Sequence, residues 1–404
     1  MESLFSDQMR LNPFPMYRQL RDHKPVFYLD PPGVWTVFRF DDVKAVLSDH
    51  ARFSSSYGPR QAASDAAESA LQGGTSPAGR ARQGSVLITT DPPRHTDLRS
   101  LVNRAFTPRA VAALEPRIDA IAHELLDKVA AVGRMDIVGD FAYPLPVIVI
   151  AELLGIPAKD RDKFKHWSDE VVASADRMVG GEAAGSQQAH EEMNAYFRGI
   201  IEERKRAPQD DLVSALLQAQ DGEHKLSEGD ILSLCWLLLV AGNETTTNLI
   251  GNAVRTLLEH EDAFANVREN PTLLPGAIEE TLRLRSPVQA MFRRAVEDVT
   301  ISGQVIPKDA HVVAFIGSAN RDERQFADPD LFDVTRSPNP HIAFGHGIHF
   351  CLGAPLARLE AKVALTALME RFSSWELVRD FELTPARGFI VHGVTELPMT
   401  FTSR

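Results

Sequence analysis

The residues with the clearest chemical potential surround a cysteine near the C-terminal end of the chain. The segment from Phe344 to Gly353 reads FGHGIHFCLG. Its two glycines before Cys351 permit a tight turn, and we predict that a helix begins just after it. A thiol at a helix N-terminus has a lowered pKa, because backbone N–H groups and the helix dipole stabilise the thiolate. The segment therefore predicts a stable, partly exposed thiolate that could bind a metal.

Three interpretations of this cysteine stay open from the loop alone. It could be a metal thiolate ligand. It could belong to a zinc site with His341, His346 and His349, although this spacing matches none of the common structural zinc patterns. It could also be a structural buried cysteine, which is the usual fate of a lone cysteine.

A second group of reactive residues lies in the segment AGNETTT at residues 241–247. Gly242 in mid-helix costs about 1 kcal/mol relative to alanine, and three consecutive threonines are poor helix formers. One interpretation is a distorted turn that opens a groove, in which Glu244 and Thr245 relay protons. The other is a small-residue contact where another helix crosses, and these residues by themselves favour that contact.

Two further pairs have helical spacing. Glu280 and Arg283 lie one turn apart, and such a pair is usually a solvated surface pair worth about 0.2–0.5 kcal/mol. His95 and Arg99 follow the segment DPPR and share one face of a predicted helix. By themselves they could be an exposed basic pair.

The elements that must position these residues are mainly helical. We predict a mainly α fold with small β-sheets (α+β), as one domain over residues 1–404, with β-rich parts near 25–60, 288–345 and 375–404. The predicted helices cover 12–23, 41–47, 227–260 and 354–372, with a helix pair over 168–203. Several more helices are predicted from 96 onward, with a break or a helix start at Pro116. Ser227 and Asp230 form a predicted capping box at the start of the 227–260 helix. The predicted strands are 35–40, 300–305 and 311–316, and 54–84 is predicted to be a long loop.

Composition narrows the class of protein. The net charge of −12 argues against nucleic acid as the main partner. Two cysteines, Cys235 and Cys351, are too few for a disulfide framework, and Cys235 in an apolar run is expected in the core. The longest apolar run, 231–241, is shorter than the roughly 20 residues of a membrane span. With no signal peptide recognised, we expect a cytoplasmic protein without a membrane anchor.

Taken together, these motifs resemble the cytochrome P450 superfamily from about Asn12 to the C-terminal strands. The string F-G-x-G-x-H-x-C-x-G resembles its haem-binding signature, and A-G-x-x-T-T, E-x-x-R and D-P-P-x-H-x-x-x-R resemble further family motifs. The resemblance implies a P450 fold with haem b between a long central helix and the cysteine-loop helix. Cys351 would then be the axial thiolate and metal ligand.

The resemblance also implies roles for the other residues. Glu244 and Thr245 would be the acid–alcohol pair, and Phe344 would shield the sulfur. The other haem-binding positions are His95, Arg99, Arg293 and His349 for the propionates, with Arg294 ranked lower, together with Ala241 and Gly242. Glu280, Arg283 and Arg336 would form a buried structural network. Arg94 departs from the family's more usual acidic residue, and we expect it to add local positive charge.

The implied activity is a haem-thiolate monooxygenase that inserts one oxygen atom of O2 into a hydrophobic fatty acid, terpenoid, steroid or macrolide. The substrate pocket would be lined by Val86, Leu87, Leu237, Val240, Val288, Ala290, Met291, Ile390 and Val391. Without a flavin or nicotinamide motif, electrons must come from a ferredoxin or flavodoxin with its reductase. That partner would dock on a monomer near Arg104, Arg109, Arg358 and Lys362. Alternatives are coupling, desaturation or peroxide-driven oxidation by a haem-thiolate enzyme, and a non-catalytic haem or zinc protein.

Overall fold

Helices account for most of the described chain, in agreement with the prediction from its apolar periodicity. A computed structural model describes residues 6–30, 32–56, 86–160, 163–164, 166–167, 170, 186–221, 224–386, 388 and 390–404. The α-helices are α1 Asp7–Leu11, α2 Phe14–His23, α3 Phe40–Ser48, α4 Arg94–Ala105, α5 Pro108–Ala112, α6 Glu115–Asp127, α7 Pro144–Leu153, α8 Ser186–Arg206, α9 Leu212–Gln218, α10 Glu228–Glu259, α11 Glu261–Glu269, α12 Leu274–Leu284, α13 Ile316–Ala319 and α14 Ala354–Arg371.

The strands are short and form small sheets. They are β1 Val26–Leu29, β2 Val34–Val37, β3 Phe53–Ser54, β4 Arg134–Asp136, β5 Gln220–Asp221, β6 His224–Lys225, β7 Met291–Ala295, β8 Val299–Ile301, β9 Gln304–Ile306, β10 His311–Ala314, β11 Phe372–Leu377 and β12 Pro398–Ser403. The sheet orders are β1-β2-β10-β7-β3, β11-β12-β4, β5-β6 and β8-β9. The mainly α fold with small sheets is confirmed.

The chain folds into two compact units. The first comprises residues 1–54, 114–145 and 245–404, and the second comprises 55–113 and 146–244. The expectation of a single domain over 1–404 stays a prediction.

In the first unit, the five-stranded sheet packs against helix α3. Val43 and Leu47 of α3 join Val37, Phe53 and Ala314 of the strands in one buried apolar cluster. Helix α14 packs against α6 and α12 in the same unit. The loop that carries Cys351 belongs to the same unit. The sheet and these helices supply the fixed backbone on which this loop is built.

In the second unit, helix α9 packs against both α8 and α4. The start of α10 has the predicted capping box: Asp230 N donates to Ser227 Oγ at 3.1 Å, and Ser227 N donates to Asp230 Oδ2 at 3.0 Å. These bonds satisfy backbone donors that a helix start leaves without intrahelical partners. They fix where α10 begins.

Most predicted helices are confirmed to within two residues, including α2, α3, α10 and α14. Pro116 lies in the first turn of α6, so it marks a helix start rather than a kink. The predicted strand at 35–40 is too long, because Phe40 already begins α3. The segment 300–305 contains parts of two strands, because a turn with positive φ at Ser302 and Gly303 separates β8 from β9. Most of the 54–84 loop and the first part of the 168–203 helix pair lie outside the described residues.

Candidate active site

The cysteine loop is a tight, internally bonded turn. A single 3-10 turn covers Gly347–His349, and Cys351 N donates to the carbonyl of Phe344 at 2.9 Å. Gly347 has φ +75°, and a Cβ there would lie 2.9 Å from Ser48 Cα at the end of α3. Only glycine combines this left-handed backbone with this close approach. The loop is therefore shaped by its own backbone and by contact with α3.

Cys351 is half-buried, and helix α14 begins three residues after it. Apolar side chains around the thiol face outward: Phe350 is 42% exposed, and Ile348 and Leu352 are half-buried. The predicted partly exposed thiol at a helix start is present.

Three polar side chains hold this loop from outside. Glu279 of α12 accepts hydrogen bonds from Arg358 at 2.6 and 2.8 Å, and its carboxylate lies 3.0 Å from His341 Nε2. The Arg358 guanidinium also lies over the Phe344 ring, 4.4 Å from its centroid. Burial alone would raise the pKa of Glu279, but the bonds from Arg358 and His341 lower it to about 2. Glu279 is therefore a carboxylate that ties α12 and α14 to the loop.

The ion pair of Glu280 and Arg283 is fully buried, at 0% side-chain exposure on both sides. Arg283 donates to both carboxylate oxygens, at 2.7 and 2.8 Å. Its remaining N–H groups donate to the carbonyls of Asn320, Pro329 and Leu331 at 2.7–3.0 Å. All five guanidinium donors thus have acceptors, as a buried charge requires. The alternative of a solvated surface pair is wrong.

Glu280 has three more donors. Arg336 Nε lies 3.0 Å from Oε1, Asn339 Nδ2 lies 3.0 Å from Oε2, and the backbone N–H of Asp333 lies 3.2 Å from Oε1. The third member predicted from the sequence, Arg336, is therefore in contact with Glu280. The carboxylate joins α12 to the segment that leads into the cysteine loop.

Asn320 links this network to the loop, and sequence reasoning missed its role as a link. Its carbonyl accepts from Arg283, while its side-chain oxygen accepts from the backbone N–H of Ile342 at 2.8 Å. Ile342 lies two residues before Phe344. The bond to a backbone N–H leaves no trace in side-chain spacing, so only tertiary contacts reveal it.

The segment of Glu244 and Thr245 lies near the middle of α10. The helix is continuous from Glu228 to Glu259, so the predicted distorted turn is wrong. A Cβ at Gly242 would lie 2.6 Å from Ile150 Cδ1 of α7, which shows that glycine admits a close helix contact there. The close contact of Gly242 with α7 therefore supports the small-residue packing interpretation, and Glu244 and Thr245 are half-buried beside it in the same helix.

Glu360 is a buried acid that sequence reasoning missed. It lies on the core face of α14, is 1% exposed, and hydrogen-bonds Thr246 of α10. Burial raises its pKa to about 8. A signal was available, because Glu360 is spaced four residues from Leu356 and from Ala364 on the apolar face.

The arginines expected near haem propionates differ in environment. Arg293 in β7 is buried, with Nη1 donating to the carbonyl of Phe292 at 2.7 Å. Arg294 points the other way along the strand and donates to Asp309 at 2.6 Å. This difference supports ranking Arg293 above Arg294. His349 is half-buried in the cysteine loop.

The second unit carries His95, which is buried, and Arg99, which is half-buried one turn later in α4. Arg94 does not add an unpaired positive charge as expected, because its guanidinium lies 2.6 Å from the Asp230 carboxylate. Ala241 is exposed although it follows a largely apolar stretch of α10.

Most residues predicted to line the substrate pocket are buried or half-buried. In the first unit, Val288 pairs with Val391 through an isolated β-bridge, and Gln289 N donates to the carbonyl of Ile390 at 2.7 Å. Ala290 is fully buried and Met291 packs against the five-stranded sheet's core. In the second unit, Leu87 is buried, whereas Val86, Leu237 and Val240 are half-buried. The half-buried residues are the better candidates for ligand contact.

The zinc interpretation loses support. His341 is bonded to Glu279 instead of facing Cys351, and no group of three or more His, Cys, Asp or Glu side chains suited to a metal occurs among the described residues. Cys235 is fully buried, as expected for a core residue, and burial raises its pKa to about 12. Within the part of the chain that the structure describes, no helix is long and apolar enough to cross a membrane.

Haem fits the residues present. A half-buried thiol, apolar neighbours in its loop that are half-buried or exposed, and a buried arginine in the same unit provide a soft ligand, an apolar contact surface and a cation for an acidic edge.

Comparison with known proteins supports this assignment. The cytochrome P450 family model matches residues 16–391. The chain is 44% identical over 408 residues to cytochrome P450 109 of Bacillus spizizenii, covering 100% of this chain and 95% of that protein. It is 40% identical over 404 residues to mycinamicin IV hydroxylase/epoxidase of Micromonospora griseorubida, covering 98% of each. The crystal structure of CYP109E1 from Bacillus megaterium with testosterone is similar at a TM-score of 0.85 and 42% identity, over 96% of this chain and 99% of that one.

The chain belongs to the cytochrome P450 family, and it is a cytochrome P450 monooxygenase. Membership implies haem iron with thiolate ligation.

Proposed function

We propose that this P450 inserts one oxygen atom of O2 into a hydrophobic small molecule, with electrons delivered by a separate redox protein. The observation that carries the proposal is the half-buried Cys351 in a hydrogen-bonded turn, next to the exposed Phe350 and the half-buried Leu352. When bound, thiolate-ligated haem supplies O2 activation and O–O bond cleavage, the effect of the thiolate known from P450 enzymes themselves.

Cys351 is proposed as the axial ligand. The Cys351 N–H bond to the Phe344 carbonyl, together with the bonds of Glu279 to Arg358 and His341, holds the turn before ligand binding. A ligand held in place in advance loses little entropy on coordination. We propose His95, Arg99, Arg293 and His349 as partners of the propionates, and Ala241, Gly242 and Phe344 as further contacts of the cofactor.

Glu244 and Thr245 are proposed to move protons. They are adjacent in α10, and both are half-buried, so each side chain keeps partial access to water. A carboxyl that passes a proton to a hydroxyl supplies the general-acid step that oxygen cleavage requires. Glu244 is thus the proton source and the Thr245 hydroxyl the donor at the reacting oxygen.

The substrate is proposed to be a steroid, macrolide, terpenoid or fatty acid. The pocket residues proposed from the sequence are almost all aliphatic, which favours an apolar ligand of moderate size. The relatives support the same range: one structure holds testosterone, and one relative is named for oxidation of mycinamicin. Steroids and macrolides are therefore the first compounds to test.

A ferredoxin or flavodoxin is the proposed electron donor, with Arg104, Arg109, Arg358 and Lys362 as docking residues. Arg358 pairs with Glu279, and Lys362 pairs with Glu115 at 2.9 Å. These ion pairs reduce the local positive potential. Docking therefore depends on the side chains of Arg358 and Lys362, which remain 37% and 50% exposed, respectively, within their pairs.

The decisive test begins with the CO difference spectrum of the reduced, haem-loaded protein. We expect the strongly red-shifted Soret band of thiolate ligation in the wild type and in Cys235→Ser, and its loss in Cys351→Ser. Testosterone, a macrolide and a long-chain fatty acid are then screened by haem spin-state shift. Turnover with NADH, ferredoxin, ferredoxin reductase and 18O2 should place one labelled atom in the product. A wild type without the red-shifted band, or a product without label, overturns the proposal.

A further inference from the structure

An arginine at the first position of α4 is electrostatically unfavourable, because the positive end of the helix dipole lies there. Arg94 nevertheless occupies it, directly before the proposed propionate ligand His95. Its guanidinium Nη2 lies 2.6 Å from Asp230 Oδ2 in the first turn of α10. The second unit thus joins the starts of α4 and α10 through one ion pair.

The two partners differ in exposure. The Asp230 side chain is 2% exposed, whereas that of Arg94 is 41% exposed. Asp230 Oδ2 also accepts from Ser227 N at 3.0 Å and from Ser227 Oγ at 2.7 Å. A buried carboxylate needs such donors and a cation, and its removal from its cation is strongly unfavourable. Asp230 is therefore a fixed anchor, and Arg94 is the side chain that reaches it.

His95 is held by the same turn. Its backbone N–H donates to the Asp91 carbonyl at 2.9 Å, and the Asp91 carboxylate accepts from Ser55 N at 2.9 Å. The His95 side chain is buried. With Asp91 on one side and the Arg94–Asp230 pair on the other, the first turn of α4 has little freedom to rotate.

We propose that Arg94 is a positioning residue, which orients His95 for the haem propionate by anchoring the start of α4 to Asp230 of α10. The proposal rests on the proposed function, because it needs a haem that His95 contacts. Loss of an outer partner of a metal-ligating histidine typically costs about 10–100-fold in metal affinity, and we expect an effect at the lower end of this range on haem retention, because His95 would contact a propionate and not the iron. The expected consequence is faster haem loss without loss of the thiolate ligand.

The experiment measures the rate of haem transfer from the ferric holoprotein to excess apomyoglobin. Arg94→Ala and Asp230→Asn are each expected to speed transfer by about tenfold, and Arg94→Lys by less, because it keeps the cation. The double variant should be no faster than the faster single variant, since both remove one interaction. The matched control is Arg117→Ala, whose side chain is 40% exposed and pairs with Glu124 at 3.0 Å. It should transfer haem at the wild-type rate.

A transfer rate unchanged in both single variants overturns the inference, as does a double variant whose effect is the product of the two. Urea unfolding of the same holoproteins separates the remaining case: a lowered midpoint with wild-type transfer means that the pair is only structural. The CO spectrum is recorded first. If the wild type lacks the thiolate band, the proposed function fails; if the band is present and transfer is unchanged, only the role of Arg94 fails.

Discussion

The carboxyl group of Glu360 in α14 hydrogen-bonds the side chain of Thr246 in α10, next to Thr245. Glu360 is buried, and its Oε1 has no hydrogen-bond partner among the residues that the structure describes. An uncompensated carboxylate is costly in such a place, and burial raises the pKa of Glu360 to about 8. The helix that follows Cys351 and the helix of the proposed proton relay are thus joined through an acid that is neutral at pH 7.

This bond makes stability depend on pH. Because the folded-state pKa is raised above the usual value of 4.5, the stabilising contribution is complete below about pH 4.5 and is lost as pH rises through about 8. We expect Glu360→Gln to gain stability relative to the wild type, on the order of a few kcal/mol, between pH 5.5 and 9. Urea unfolding at several pH values measures this. In the control variant Glu370→Gln, which changes an exposed residue of the same helix, the free energy of unfolding should depend on pH as in the wild type. The prediction is contradicted if Glu360→Gln and the wild type show the same dependence of this free energy on pH.

The buried pair of Glu280 and Arg283 should dominate local stability. Arg283→Met leaves the Glu280 carboxylate buried with fewer donors, so we expect a loss of about 3–5 kcal/mol in the free energy of unfolding. Lys205→Ala removes exposed ion pairs with Glu202 and Glu228 and should cost less than about 1 kcal/mol. Urea unfolding of the two variants provides the comparison. Equal losses would show that the network does not hold the fold.

The two cysteines should differ sharply in reactivity. In the haem-free protein at pH 8, iodoacetamide should modify Cys351, which is half-buried, and spare Cys235, which is fully buried with a pKa near 12. In the haem-loaded protein neither cysteine should react, because coordination to iron blocks the Cys351 thiolate from attacking the reagent. Intact-protein and peptide mass spectrometry measure the labelling. Modification of Cys351 at an undiminished rate in the holoprotein is the outcome that speaks against ligation.

Thr245 should govern the fraction of the electrons from NADH that is used to form product. With the hydroxyl removed in Thr245→Ala, the proton donor is lost, and we expect product per NADH to fall by about tenfold or more while hydrogen peroxide rises. Thr247→Ala serves as the control, because residues two apart in a helix face different directions. Both variants are assayed for NADH, product and peroxide. If Thr245→Ala forms as much product per NADH as the wild type, the Thr245 hydroxyl is not the proton donor.

Arg358 should affect transfer of electrons from the partner. We expect Arg358→Ala to raise the KM for reduced ferredoxin several-fold and to weaken its dependence on salt. Lys308→Ala, an exposed lysine of the β9–β10 turn, should change neither. The CO spectrum of Arg358→Ala must stay that of a thiolate, since Arg358 also covers the Phe344 ring. A KM equal to that of the wild type would remove Arg358 from the docking surface.

The cysteine loop shows how far the sequence alone reaches. Gly345 and Gly347 both have positive φ, and helix α14 begins where the pattern predicts. Such features are local, because glycine and helix periodicity act through neighbouring residues. The same holds for the capping box of Ser227 and Asp230. Local spacing was sufficient for these, and for the motifs that led to the family.

Burial and partnership were decided by the tertiary structure. Spacing could not tell whether Glu280 and Arg283 are solvated or buried, that Arg94 reaches Asp230, or that Asn320 holds Ile342. The spacing of Glu360 places it on the apolar face of α14, but only the tertiary structure shows its bond to Thr246 and the raised pKa that burial gives it. These properties depend on segments brought together from 22 to 136 positions apart along the chain, and desolvation and hydrogen-bond geometry exist only once those segments meet.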